Sequence, residues 1–99
     1  MSRIIRIVNF TCTDKNKWYE VFDENDYQKN RIKEIKVKLR ETTTADHFRY
    51  AYNPTTLPDT FASYMTSSSG FFTIRDVKTL WAYVPDVDAQ VVEIEIIYK

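Results

Sequence analysis

One glycine, one cysteine, one histidine and three prolines are all that 99 positions hold of these residue types, and each scarcity closes off a class of chemistry. A Walker-type phosphate loop or a dinucleotide fingerprint needs several glycines so that backbone amides can approach phosphate, and a lone Gly70 excludes both. A lone Cys12 excludes an intrachain disulfide. Together with a lone His47, it also excludes a Cys/His zinc centre built within one chain. No apolar run approaches the ~20 residues that cross a bilayer, and Arg3 and Arg6 interrupt the opening stretch before a signal-peptide core could form. These absences predict a cytoplasmic chain with no membrane contact and no cofactor. With no Asn-Gly or Asp-Gly pair for tight hairpins, the connections should be longer and built on Asn, Asp, Thr and Pro.

What is present suits a single domain spanning 1–99. The chain is 43% hydrophobic, 15% aromatic and 28% charged, enough apolar area for a core rich in aromatic rings. Fourteen basic residues balance fourteen acidic ones, so the overall positive footprint of a nucleic-acid binder is missing. The charges are clustered, however. Residues 29–40 carry six bases and one acid, directly after Glu20, Asp23, Glu24 and Asp26.

Periodicity gives the expected elements. Residues 3–12 are rich in β-branched types and read as a well-buried strand. Asp14 can cap a helix with Trp18, Val21 and Phe22 on one face, slightly preferred over a strand through 15–24. From Ile35 the pattern alternates, with Ile35, Val37 and Leu39 against Lys36, Lys38 and Arg40. Val92, Ile94, Ile96 and Tyr98 alternate with Glu93 and Glu95 in the same way, and pairing the two strands would set Lys36 and Lys38 beside those carboxylates. Residues 46–52 form a third strand, as a hairpin with 35–40. Leu57, Phe61, Tyr64 and Met65 space a helix over 57–67 closed by Gly70. Thr73 to Asp76 outlines a capping box for a helix through Ile74, Val77, Trp81 and Val84, with a strand through 71–74 as its rival. The fold class expected is α+β: an antiparallel sheet of about four strands with two or three helices packed on one face.

For chemistry, His47 is the one side chain that titrates near neutrality unperturbed, and so the candidate general base, with a solvated strand histidine as the plainer reading. Cys12, at the end of an apolar strand, reads as a small hydrophobe rather than a nucleophile. Glu20, Asp23, Glu24 and Asp26 lack the central glycine of a calcium loop, and no metal site is expected. The leading binding candidate is the basic strand 29–40: Arg31, Lys33, Lys36, Lys38 and Arg40 could track a phosphate backbone while Tyr50, with Tyr52 nearby, stacks on bases. Against it, Glu93 and Glu95 would neutralise the same face. Tyr- and Trp-rich surfaces and a free sheet edge also suit association into a homodimer.

The length, the single glycine, the Ile- and Tyr-rich strands and the interleaved charge of Lys33-Glu34-Ile35-Lys36-Val37-Lys38-Leu39-Arg40 resemble the short proteins of filamentous viruses of hot-acid archaea, of lipothrixvirus or rudivirus type. The resemblance implies a host-cytoplasm location and high thermal stability. Some small proteins of those viruses are dimeric nucleases that degrade cyclic oligoadenylate with a histidine, a part that only His47 could take here. The sequence reading is a small, stable viral accessory or interaction protein without catalytic activity. Its alternatives are nucleic-acid binding through 29–40 and a small nuclease or anti-defence enzyme using His47.

Overall fold

The computed structural model describes residues 5–40, 47–54, 64–67 and 71–99. They form eight strands: β1 (Ile5–Cys12), β2 (Trp18–Asp23), β3 (Ile32–Leu39), β4 (Phe48–Tyr52), β5 (Met65–Ser67), β6 (Phe72–Arg75), β7 (Thr79–Tyr83) and β8 (Gln90–Tyr98). Two short 3-10 turns, Glu24–Asp26 and Lys29–Arg31, are the only helical pieces among the described residues. The strands make two four-stranded sheets in the orders β1-β8-β3-β6 (sheet A) and β2-β7-β4-β5 (sheet B).

That order has a simple origin. β1 pairs with β8, β2 with β7, β3 with β6 and β4 with β5, all antiparallel, as in one long hairpin folded at the middle of the chain. Rolling the hairpin adds the pairings β3–β8 and β4–β7 and closes a jelly-roll sandwich. The inner faces supply the core: Ile35, Val37, Phe48, Leu80, Val84, Val92, Ile94 and Ile96 are all but inaccessible to solvent. Each such side chain contributes on the order of 1.5–3 kcal/mol by burial. Tyr50 stacks on Phe72 across the sandwich, with ring centroids 4.3 Å apart.

The α+β expectation, with two or three helices on one face of a four-stranded sheet, is corrected to an all-β sandwich. The helix expected from Asp14 is β2. A bulge between Glu20 and Phe22 lets the consecutive Val21 and Phe22 both turn inward, which imitates helical spacing in the sequence. The helix expected through 73–84 is β6 and β7. Asp76, taken for the end of a capping box, instead holds the turn between them at φ 56°, and Trp81 points outward while its neighbours Leu80 and Ala82 are buried. The helix over 57–67 lies outside the described residues up to 63, and 65–67 is β5. β4 is not a hairpin partner of β3; it lies in the other sheet, between β7 and β5.

The connections make up for the scarcity of glycine. Asn16, Asn53, Asp76 and Asp86 occupy the left-handed region, which Asn and Asp tolerate better than other side-chain-bearing residues, and Ala89 joins them at φ 58°. Asn53 ties two turns together: its Oδ1 accepts from the Lys78 and Thr79 amides at 2.6 and 3.2 Å, and its Nδ2 donates to the Asp76 carbonyl at 2.9 Å. At the other end of β7, Asn16 Oδ1 accepts from the Asp86 amide at 3.1 Å, and Asp88 accepts from the Lys15 amide at 2.8 Å.

Candidate functional site

The outer face of sheet A carries the basic strand, and the register places its charges in rows. β3 and β8 are neighbours, as the alternating sequences predict, and the register sets Lys36 opposite Glu95 and Lys38 opposite Glu93. Arg40 Nε donates to Glu93 Oε2 at 2.8 Å, Lys38 Nζ lies 3.8 Å from Glu93 Oε1, and Arg75 lies 3.6 Å from Glu34 across β3 and β6. Such half-exposed pairs are worth about 0–1 kcal/mol each. Their main effect is to balance the charge of the face.

The other residues of the predicted nucleic-acid surface are not gathered there. Tyr50 faces the interior on the other sheet, where burial pushes its hydroxyl pKa up, so it shares no surface with Lys36 and Lys38. Arg31 lies in a 3-10 turn and donates to Gln28 Oε1 at 3.1 Å; Lys33 is exposed at the bulge between Ile32 and Glu34. His47 is exposed immediately before β4, whereas Cys12 is buried at the end of β1, and burial pushes its thiol up to about 11. Glu20 keeps its carboxyl above the usual range through burial and the nearby charges of Asp23 and Asp26. No group of three or more potential metal ligands occurs among the described residues. A polar depression of about 320 Å³ beside the 3-10 turns sets Lys78 and Lys99 against Glu24 and Asp76, again in balance.

The outer face of sheet B differs. Trp18, Tyr83 and Arg49 fall in one register row across β2, β7 and β4. The Arg49 guanidinium lies 5.0 Å from the Tyr83 ring centroid and 4.9 Å from that of Tyr64. Trp18 contacts both tyrosines, at 5.3 and 6.0 Å. Sequence reading missed this cluster because its members come from four separate segments and only the register unites them.

Among the described residues, the most exposed large apolar and aromatic side chains lie on or beside edge strands, except Tyr52 on β4. Ile5 and Ile7 on β1 are 52% and 71% exposed, Met65 on β5 57%, and Phe71 beside β6 58%. β1 was expected to be well buried, but as an edge strand it buries only the face that carries Val8, Phe10 and Cys12.

No protein-family model matches the sequence, and no curated protein matches it. Among solved structures, the fold is similar to a chain of the Bacillus endospore appendages, which form a family of disulfide-linked pili. The TM-score is 0.59 at 13% sequence identity, over 99% of this chain and 87% of that one.

Proposed function

We propose that this protein is a non-catalytic interaction protein that works by associating with further copies of itself, as a structural subunit. The observation that carries the reading is the placement of Ile5, Ile7, Met65 and Phe71 at the edges of both sheets, where a neighbouring chain gains contact without disturbing the core. The Trp18, Tyr64, Tyr83 and Arg49 cluster adds residue types enriched in protein contacts. The likeness to a pilus-forming chain supports the same reading, since a sandwich of this kind assembles into fibres there. Cys12 is buried, so association here would be non-covalent and indifferent to reductant. Nucleic-acid binding along β3 has the facing carboxylates of Glu93 and Glu95 against it.

Light scattering on the purified chain, across its accessible concentration range and with and without reductant, tests the proposal. Masses at multiples of 11.8 kDa, unchanged by reductant, are expected. A monomer at every concentration overturns it.

A further inference from the structure

The four sheet edges are not equally protected against a second chain. β5 is three residues long and β6 four, and β6 carries Arg75 on its outer face. β2 has six residues, a bulge, and the carboxylates of Glu20 and Asp23. Shortness, bulges and charge are the usual means of blunting an edge. β1 is the least protected: it runs for eight residues in unbroken register with β8, its outer side chains Ile5, Ile7, Asn9 and Thr11 are uncharged, and its one charge, Arg6, lies on the other face.

The hydrogen bonds of β8 show which peptide groups of β1 are open. The Arg40 amide donates to the Val91 carbonyl and the Lys99 amide to the Arg31 carbonyl, so the odd-numbered residues of β8 direct their peptide groups toward β3. The even-numbered residues Val92, Ile94 and Ile96 therefore bond to their partners Phe10, Val8 and Arg6 on β1. By alternation, Ile5, Ile7, Asn9 and Thr11 direct N–H and C=O to the open edge, where no described strand pairs with them.

We infer that two copies join through β1 in an antiparallel, twofold-symmetric pairing centred on Val8, giving a continuous eight-stranded sheet. The inference rests on the self-association reading and names its surface. In this register Ile5 exchanges hydrogen bonds with Thr11 of the second copy and Ile7 with Asn9, so all four open residues are satisfied, with about eight main-chain bonds in total. A shift of the centre to Ile7 leaves Thr11 without a partner within the strand. The register also avoids opposed charges. Arg6, the one charged side chain of β1, stands opposite Phe10 rather than a second Arg6, and it already leans over the Tyr27 ring at 5.1 Å.

Sedimentation of the wild type and two variants tests this. Ile7→Pro removes an N–H that points to the open edge, which an edge strand tolerates, and obstructs pairing. Val8→Cys places two thiols at the twofold axis, in a close pair whose Cα separation of about 4.5 Å lies within disulfide range. The expected results are a wild-type mass of twice 11.8 kDa, a monomeric Ile7→Pro with wild-type circular dichroism, and a Val8→Cys dimer that becomes disulfide-linked on mild oxidation. A wild-type monomer overturns both this inference and the self-association reading. An assembly that Ile7→Pro leaves intact, or one larger than a dimer that it disperses, overturns the twofold β1 pairing alone. Should Ile7→Pro fail to fold, Val8→Cys decides: a cross-linked dimer supports the register, and a dimer that does not cross-link overturns it.

Discussion

β1 and β2 end their respective sheets on the side where Phe10 meets Tyr19, at a ring separation of 5.9 Å, yet the two edges are of opposite kinds. Both sequences are rich in apolar and aromatic residues. β2 interrupts its ladder with a bulge after Glu20 and carries two carboxylates, whereas β1 keeps its register and turns its only charge toward Tyr27. Propensity made both segments strands; what differs is whether the free row of peptide groups is fit to accept another strand.

The largest effect that separates the two sides of β1 comes from proline. Val8→Pro deletes an amide that donates to β8 and should cost about 3 kcal/mol or more in denaturant unfolding, whereas Ile7→Pro, one residue away, should cost far less once both are measured as monomers. Equal losses would mean that the assignment of open and paired peptide groups is wrong. Asn53 comes next. Asn53→Ala removes the acceptor for the Lys78 and Thr79 amides and puts a less tolerant residue at φ 49°, with an expected loss of about 1–3 kcal/mol.

Cys12, at the buried end of β1, gives a pH signature. Its thiol is raised from 9.0 to about 11 by burial, so the folded chain holds this proton more tightly than the unfolded chain does. The corresponding stability is complete below about pH 9 and is lost as pH rises toward 11. Equilibrium unfolding of wild type against Cys12→Ala across that range checks the sign, because the variant should lack this part of the decline. The smallest effect lies on the outer face of sheet A. Glu93→Gln removes the partner of Arg40 and Lys38 and should cost less than about 1 kcal/mol, with the difference shrinking in high salt.

The strands most legible in the sequence were those whose two faces differ. β3 and β8 alternate apolar with charged residues, and their complementary signs gave the pairing of the two strands, though not the register that sets Lys36 opposite Glu95 and Lys38 opposite Glu93. β2 was obscured by its bulge, which sets Val21 and Phe22 side by side, and β6 and β7 by a turn at Asp76 that imitates a helix cap. Composition held a corrective. Nine Ile, eight Val and eleven Thr against three Leu and five Ala favour strands over helices throughout the chain. Sheet order was not legible, because nothing local marks β1 as an edge or assigns β4 to the other sheet. For that reason Tyr50 was grouped with cations that it does not face, and the alignment of Trp18, Tyr83 and Arg49 went unseen.

Amide hydrogen exchange at several protein concentrations tests the central claim most directly, since it reads each peptide group of β1 separately. Protection at Ile5, Ile7, Asn9 and Thr11 should rise with concentration, while that at Arg6, Val8 and Phe10, already bonded to β8, stays constant. Rapid exchange at the four open positions at every concentration, or a concentration-dependent gain at β5 or β6 instead, would contradict it.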